Sequence, residues 1–510
     1  MNDAAGRPRA RRALTSALVL GAGLTTITVA ERPAARVEPV FDGPSVLLSY
    51  VDHASPYTGV GRYEGRATCT AFLLDTGALA RRAPEAPGYA VTSGHCPAAP
   101  GPNDVVVGGL GVGRVVFNLF VDSQRWQVIV PVLRTAYATV KGRDLAVLEL
   151  AMSAKDLARE LIRPLPIAAP VTSLIGEPVD VVGAPLWPNL AEAFLRASRC
   201  RIDGIAPMVL EHARHWFDAP FLRCRDMLPG SSGSPVISMV DHAVVGMVSA
   251  TTSDRAEAAC ASGEPCEPTA EGVRTRPRTT YLTPLTGLGR CFDERHQFDL
   301  QTPGCPLDPG GELAAMPGYL GPVNPLLSTK PMGAAQRAWN VTVVGPADYY
   351  RYAVVAPPDD CRTTTGYGAP IPMAAQTDIV VPLPVSEGFA FLCIVGTGKS
   401  GDEGGADPYE HPNVVVARTD LTPPRLSAQI QISESDDAWR VKFSTVGQEV
   451  AFHLYKAGPP ATTRCDDPGG YQVIHDTLIG LPKVTGTHLL CAIPHDAAQN
   501  AGPLFKRVFR

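Results

Sequence analysis

Three segments of this chain carry residues that could serve as a base, an orienting acid and a nucleophile. His95 stands in Val91-Thr92-Ser93-Gly94-His95-Cys96, Asp144 opens a run of apolar residues, and Ser232 lies in Pro229-Gly230-Ser231-Ser232-Gly233-Ser234-Pro235. A nucleophilic hydroxyl needs a base within hydrogen-bond reach, and the base needs a carboxylate to fix its tautomer and stabilise the imidazolium. The order His, Asp, Ser therefore predicts nucleophilic catalysis.

The elements that hold these residues are predicted to be β-strands. From residue 45 to residue 288, short runs of β-forming residues alternate with Gly and Pro turns, a spacing typical of an all-β barrel or sandwich. A mixed charged and apolar stretch at residues 154–162 predicts one peripheral helix. Each candidate residue then lies next to a β-type run.

Length and charge limit the class of protein. The chain has 510 residues, which suggests about three domains. The formal net charge is -5, and no long run of Lys or Arg follows the N-terminus, so we expect no nucleic-acid partner.

The N-terminus has the layout of a secretory signal peptide over residues 1–30. Four arginines (Arg7, Arg9, Arg11 and Arg12) precede an apolar and small-residue stretch that ends near Ala30. A single membrane anchor is the alternative, but Thr and Gly make this stretch weakly apolar. We expect a secreted or periplasmic bacterial protein with no stable membrane span after signal cleavage.

Twelve cysteines form six pairs of sequence neighbours, and we expect them to pair in that order. An even count behind a signal peptide indicates disulfides in an oxidising compartment. Zinc is the alternative, but no close CxxC pair occurs. The pairs are Cys69 with Cys96, Cys200 with Cys224, Cys260 with Cys266, Cys291 with Cys305, Cys361 with Cys393, and Cys465 with Cys491.

The C-terminal part contains an internal duplication. Ala338-Trp339-Asn340-Val341 recurs as Ala438-Trp439-Arg440-Val441, and each copy continues through Cys, Gly-Tyr, Leu-Pro and Leu-Cys in the same order. We predict two tandem disulfide-stapled β-sandwich modules of the Ig or fibronectin type, named here module 1 (residues 332–420) and module 2 (residues 421–510). Residues 291–331, rich in Gly and Pro, are predicted to form a connector.

With these motifs in view, residues 43–290 resemble the chymotrypsin-like (trypsin-fold) serine peptidases, in particular the bacterial branch with Gly-x-Ser-Gly-Ser-Pro around the nucleophile. The resemblance implies an all-β domain of two barrels. It also implies that Cys69 and Cys96 form the disulfide beside the catalytic histidine, with His95 the general base, Asp144 the orienting acid and Ser232 the nucleophile. It implies a protein or peptide substrate and no cofactor or metal.

Further roles follow from the same resemblance. The backbone N–H groups of Gly230 and Ser232 would form the oxyanion hole, and Ser249 matches the serine beside the catalytic aspartate, on the substrate side. Asp226 stands six residues before Ser232, where trypsin itself carries the carboxylate that receives a basic side chain, although bacterial relatives carry Asp there without firm basic specificity. Ser231 replaces the Asp of the animal digestive branch, so its zymogen switch should be absent.

Other candidate sites are weaker. Glu211-His212-Ala213-Arg214-His215 could offer two histidines to zinc, but it lacks the His-Glu-x-x-His order, and we expect an exposed pair in a loop. The acidic Gly-rich segment at residues 401–407 lacks the ligand spacing of an EF-hand. Trp339 and Trp439 occupy matching repeat positions and are predicted to be core residues.

Two functions from different classes remain. The first is a secreted serine endopeptidase that forms an acyl-enzyme. The second is a catalytically silent binding or adhesion protein, in which the C-terminal modules hold a surface or a substrate. The presence of the expected residue type at all three catalytic positions favours the first.

Overall fold

The structure is a computed structural model of the chain. It describes residues 45–49, 57–79, 83–98, 100–168, 175–186, 194–212, 214–225, 227–254, 260, 263–269, 272–310, 313–317, 327–328, 338–374, 376–397, 407–425, 430–445, 450–483 and 486–509. The predicted signal peptide lies outside these residues.

The N-terminal half begins with nine strands, of which six close into barrel 1. Strand β2 pairs with β3 and β6, β3 with β4, β4 with β9, and β9 with β7, which closes the ring by pairing with β6. Strand β5 extends the sheet from β7. The strands are β1 Ser45–Val46, β2 Val60–Glu64, β3 Thr68–Leu73, β4 Pro87–Thr92, β5 Val105–Leu110, β6 Arg114–Phe117, β7 Val128–Thr139, β8 Lys141–Gly142 and β9 Leu145–Ser153.

Barrel 2 follows, and β1 and β8 join its sheet. The closed order is β11-β10-β13-β14-β17-β12, with β12 paired back to β11. The short strands β15 and β16 form a separate hairpin. The strands are β10 Pro178–Gly183, β11 Arg196–Glu211, β12 Arg214–Leu222, β13 Pro235–Ser238, β14 Val244–Thr251, β15 Glu267–Thr269, β16 Gly272–Arg274 and β17 Thr280–Pro284.

One α-helix, α1, lies in the described part of the chain, at Ala154–Arg159. Its N-terminal cap is Ser153, whose hydroxyl accepts the N–H of Asp156 and so satisfies one helix-end donor. The helix is shorter than the predicted span because Leu161 has a φ of 62°, which is left-handed backbone. Short 3₁₀ helices occur at Gln124–Trp126, Leu288–Cys291 and Pro358–Arg362.

The main hydrophobic core fills the space between the two barrels, and the connector contributes to it. Phe292 and Phe298 pack edge-on with ring centroids 5.6 Å apart, and Phe292 also meets Tyr89 of β4 at 5.1 Å. The Cys291–Cys305 disulfide closes this segment. The first part of the connector is therefore bound into the core of the barrels.

Module 1 consists of a three-stranded sheet and a five-stranded sheet, with orders β18-β20-β23 and β19-β25-β24-β21-β22. Trp339 of β20 is fully buried between them, opposite Val381. Part of the connector, β18, pairs with β20. The strands are β18 Ala314–Pro317, β19 Leu327–Ser328, β20 Ala338–Val344, β21 Tyr349–Val355, β22 Ile371–Pro372, β23 Gln376–Pro382, β24 Gly388–Thr397 and β25 Asn413–Thr419.

Module 2 repeats this plan with sheets β26-β27-β30 and β29-β28-β31-β32. The duplication is exact at one contact, because the Tyr367 hydroxyl donates to the Cys361 carbonyl at 2.8 Å and the Tyr471 hydroxyl donates to the Cys465 carbonyl at 2.8 Å. Trp439 is partly buried against Phe509. The strands are β26 Ile430–Glu434, β27 Ala438–Phe443, β28 Phe452–Gly458, β29 Gln472–Ile474, β30 Thr477–Pro482, β31 His488–His495 and β32 Phe505–Phe509.

The predicted fold class is confirmed: the chain is nearly all β, with two barrels followed by two β-sandwiches. All twelve cysteines form disulfides between sequence neighbours. Within the described ranges, no helix has both the length and the apolar character that crossing a membrane requires.

Candidate active site

His95 is presented by the tight turn that follows β4. The Cys69–Cys96 disulfide ties the next residue to β3. Gly94 packs so closely that an added Cβ would lie 1.9 Å from the carbonyl oxygen of Thr139. Because no side chain fits there, the turn sits directly on the segment that leads to Asp144.

His95 and Asp144 are joined by two hydrogen bonds. The backbone N–H of His95 donates to Oδ1 of Asp144 at 3.0 Å, and Nδ1 of the imidazole lies 2.8 Å from Oδ2. Asp144 is fully buried, whereas 22% of the His95 side chain is exposed. With Nδ1 as the donor, the other ring nitrogen, Nε2, keeps a lone pair with which it can accept a proton.

The pairing with Asp144 sets the direction in which the pKa of His95 is shifted. Burial lowers the pKa of His95, but the charge of Asp144 and its hydrogen bond outweigh burial and raise the pKa above 6.5. Arg214 and Glu211, at the tip of the β11–β12 hairpin, act on it in opposite directions. Glu211 is held there by the N–H of Gly263 at 2.7 Å. Sequence reasoning did not place this hairpin beside His95.

Thr283 of β17 holds the backbone of Asp144, and it was not anticipated. Its hydroxyl accepts the Asp144 N–H at 3.2 Å and donates to the Asp144 carbonyl at 3.1 Å. The Ser249 hydroxyl lies 2.6 Å from the same Thr283 oxygen. Ser249 thus reaches the backbone of the aspartate through Thr283.

The turn that carries Ser232 depends on its two glycines. Gly230 has a φ of 91° and Gly233 a φ of 86°, a region that residues with a Cβ rarely adopt. A Cβ on Gly233 would also lie 2.0 Å from the Thr70 carbonyl oxygen. The Thr70 N–H donates to the Ser232 carbonyl at 2.8 Å, which fixes the turn against β3.

The amide groups of this turn fall into two classes. The N–H of Ser231 donates to the Leu228 carbonyl at 3.0 Å, and that of Gly233 donates to the Val248 carbonyl at 2.8 Å. The N–H groups of Gly230 and Ser232 have no acceptor in the described portion of the protein. Two unpaired backbone donors, two positions apart in the sequence, can bind the oxygen of a tetrahedral intermediate.

The Ser232 hydroxyl donates to the carbonyl oxygen of Ser249 at 3.5 Å. Over the residues that the structure describes, it makes no hydrogen bond with His95. Catalytic hydrogen bonds are often long in the absence of substrate and tighten in its presence. Among the described residues, the structure therefore joins His95 to Asp144 and Ser232 to Ser249 by hydrogen bonds, without a hydrogen bond between His95 and Ser232.

A surface cleft of about 690 Å³ adjoins the Ser232 turn. Leu186, which lines it, donates its N–H to the Pro229 carbonyl at 2.7 Å. Arg62, Arg114 and Glu64 form an ion-pair group on its wall.

Two predicted candidates end differently. Asp226 lies outside the described residues, so its role in specificity stays a prediction. The expectation of an exposed histidine pair was wrong, because His215 is fully buried in β12 while His212 is exposed. Burial lowers the pKa of His215 to about 3.

One group of potential metal ligands lies within the described ranges. Atoms of Cys69, His95 and Cys96 approach within 4.8 Å of one another. Both cysteines are used in a disulfide, so neither offers a thiolate. Of the acidic segment at residues 401–407, the first six residues lie outside the described part.

Residues 69–247 match the family model of the trypsin-like peptidase domain. No curated protein sequence matches the chain. Among solved structures, a Glu endopeptidase in complex with MPD has 16% identity and a TM-score of 0.26, over 42% of this chain and 86% of the other. The MamO protease domain from Magnetospirillum magneticum has 13% identity and a TM-score of 0.27, over 46% and 95%.

For the C-terminal part, a segment of two fibronectin type III domains from chicken tenascin has 11% identity and a TM-score of 0.16, over 35% of this chain and 95% of the other. TM-scores below 0.5 are too low for these likenesses to carry a function. The family match covers both the histidine turn and the serine turn. Residues 69–247 of this chain therefore carry the sequence signature of a trypsin-like peptidase domain.

Proposed function

We propose that the protein is a secreted serine endopeptidase with His95 as general base, Asp144 as orienting acid and Ser232 as nucleophile. The observation that carries the proposal is the 2.8 Å contact between Nδ1 of His95 and buried Asp144, which leaves Nε2 free to act as a base. The match of residues 69–247 to the trypsin-like peptidase domain supports the same reaction class.

In the proposed reaction, Nε2 of His95 takes the proton of Ser232 as Oγ attacks the carbonyl carbon of the scissile bond. The N–H groups of Gly230 and Ser232 donate to the resulting oxyanion, while the Asp144 carboxylate stabilises the imidazolium. The imidazolium gives its proton to the leaving amine, and an acyl ester on Ser232 remains. Water, activated by His95, then hydrolyses this ester and restores the enzyme.

Substrate preference and localisation belong to the same proposal. Asp226 would select Lys or Arg before the scissile bond, because a basic side chain supplies the countercharge of a carboxylate in a pocket. The six disulfides are typical of proteins in an oxidising compartment, which agrees with residues 1–30 as a cleaved signal peptide. We assign residues 43–290 to the peptidase domain and propose that the modules offer a surface for binding.

The direct test is labelling of the mature protein with a fluorophosphonate probe, which reacts only with an activated serine. Labelling should disappear in Ser232→Ala and persist in Ser231→Ala, a matched control one residue away on the same turn. Labelling that survives in Ser232→Ala, or a folded protein that is never labelled, would overturn the assignment and leave a silent binding protein. A peptide library on the wild type and on Asp226→Asn then tests the preference for Lys or Arg.

A further inference from the structure

The segment just before Asp144, residues 139–142, contacts both barrel 2 and the turn that carries His95. Strand β8, Lys141–Gly142, runs parallel to β12, with Lys141 opposite His215 and Gly142 opposite Trp216. Gly94 of the His95 turn also packs against the carbonyl oxygen of Thr139, in this segment, and against that of Leu145. The position of this segment decides where the Asp144 carboxylate lies.

Lys141 forms a buried ion pair with a residue of the connector. Its Nζ lies 2.8 Å from Oδ2 of Asp308, and the side chains are only 7% and 12% exposed. The other carboxylate oxygen of Asp308 accepts the N–H of Gly310 at 2.8 Å. A buried charge that loses its partner is strongly destabilised, so the pair fixes Lys141 firmly.

Module 1 surrounds this pair. His411, together with Lys141, Asp308 and Asn413, lines a small cavity of about 50 Å³. Burial lowers the pKa of His411 and so favours its neutral form, while the charge of Asp308 acts in the opposite direction. Among the residues that the structure describes, the ion pair of Asp308 is made with Lys141, which lies three residues before Asp144.

A second chain of hydrogen bonds leads from module 1 to the same segment. The N–H of Val414 in β25 donates to the side-chain oxygen of Asn103 at 3.0 Å, and the Asn103 amide donates back to the Val414 carbonyl at 3.3 Å. The backbone carbonyl of the next residue, Asp104, accepts a hydrogen bond from the Thr139 hydroxyl at 2.7 Å. That hydroxyl accepts the N–H of Lys141 at 3.0 Å.

Barrel 2 and module 1 are also held together by buried apolar packing. One buried cluster joins residues of barrel 2 with residues of module 1, and Arg362 of module 1 lies over the ring of Phe217 at 5.3 Å. Arg362 also pairs with Asp218 at the edge of the interface. The cluster contains Met208, Leu210 and Phe217 of barrel 2 and Phe389, Phe391, Val414 and Val416 of module 1.

We propose that Asp308 is a positioning residue: through Lys141, and with module 1 as its support, it holds Asp144 in register with His95. Asp308 touches no reacting atom. The inference rests on the proposed function for its kinetic consequence, but the geometry of the Asp144–His95 pair can be measured without turnover. Module 1 then acts as part of the catalytic unit in addition to any binding role.

The test compares Asp308→Asn with Asp218→Asn in the full-length mature protein. Both variants remove one charge at the contact between module 1 and the barrels, but only Asp308 reaches the segment before Asp144. Asp308→Asn should lower kcat by roughly 10- to 100-fold, with KM unchanged, because a small displacement of a catalytic group has an effect of this size. Asp218→Asn should keep the wild-type kcat.

The readout specific to positioning is the titration of His95. Asp144 raises the pKa of His95, so a displaced Asp144 moves the acid limb of the kcat/KM profile to lower pH. The downfield proton resonance of His95 Nδ1–H, followed by NMR, should weaken and titrate at lower pH in Asp308→Asn. An Asp308→Asn protein with wild-type kcat and wild-type His95 titration overturns the inference.

A second variant and an NMR comparison that needs no turnover cover the cases in which the first experiment gives no kinetic result. If Asp308→Asn does not fold, the double variant Lys141→Met/Asp308→Leu removes both charges and keeps apolar bulk; a folded double variant with wild-type kcat and His95 titration also overturns the inference. A wild type without turnover refutes the proposed endopeptidase, but the NMR comparison still decides whether Asp308 positions Asp144. The two failures are therefore distinguishable.

Discussion

Replacement of Asp144 by Asn tests the central pair of the site with almost no change of shape. The carboxylate accepts two hydrogen bonds from His95, at 3.0 Å from the backbone N–H and at 2.8 Å from Nδ1. An amide has one accepting oxygen and one donating nitrogen. In Asp144→Asn only one of the two bonds can therefore be kept.

Either orientation of the amide is costly, because the Asp144 side chain is fully buried and a polar group left unpaired there keeps its full desolvation penalty. With the oxygen toward the backbone N–H, the amide nitrogen faces Nδ1, which must then become the acceptor. The ring proton moves to Nε2, the atom that should act as the base. Wrong-tautomer variants of such triads lose roughly 10⁴-fold in kcat, or about 5.5 kcal/mol of transition-state stabilisation.

The assay is the rate of fluorophosphonate labelling together with kcat on a cleaved peptide. Asp75→Asn is the matched control, because Asp75 also accepts a backbone N–H, from Gly77 at 2.8 Å, but at an exposed loop away from His95. The control should be as active as the wild type. A loss in Asp144→Asn of less than about tenfold, or about 1.4 kcal/mol, would refute the reasoning.

Two other predictions follow from the same geometry. Because only neutral His95 acts as a base and its pKa is raised above 6.5, kcat/KM should fall as pH decreases through a midpoint above 6.5; a profile with a midpoint below that value would contradict the effect of Asp144. Gly230→Ala places a Cβ 2.9 Å from the Leu186 nitrogen at a φ of 91°, so the turn must shift and one oxyanion donor is lost. We expect a fall in kcat of roughly 10²- to 10³-fold in steady-state kinetics, with the melting temperature recording the backbone strain, and an unchanged kcat would argue against this oxyanion hole.

The fold class could be predicted, and the candidate site residues could be proposed, because their signals are local. His95 is flanked by Gly94 and Cys96, and Ser232 lies between two glycines that the turn requires at positive φ. Each signal spans a few residues of sequence. The duplication of the modules was visible for the same reason, since the Cys and Gly-Tyr spacing repeats.

The support of the site could not be predicted, because it depends on contacts between distant residues. Thr283 and Asp144 are 139 residues apart, and Asn103 and Val414 are 311 residues apart. The sequence around a threonine within a strand, or around an asparagine that precedes a strand, does not indicate which distant residue it will contact. Such pairs follow only from the packing of whole domains.

The error at His215 has the same origin. The sequence predicted that His215, with His212, would lie exposed in a loop. In β12, however, His215 and Phe217 are both buried, and Phe217 packs into the cluster that barrel 2 shares with module 1. The sequence of β12 does not indicate that module 1 will pack against this strand.

The two modules differ where module 1 meets the barrels. Phe389 and Phe391 stand four and two residues before Cys393, and Thr487 and Leu489 stand at the same distances before Cys491. In module 1 both phenylalanines pack into the cluster with barrel 2, whereas Thr487 has no aromatic ring to offer. Since the repeats share a three-stranded sheet, four strands of the second sheet, the disulfide and the Tyr-to-carbonyl hydrogen bond, this change falls on the contact surface. The two copies of the sandwich therefore differ at this surface. In module 1 the surface packs against barrel 2 of the peptidase domain. In module 2 the corresponding positions, Thr487 and Leu489, carry no aromatic ring for such a contact.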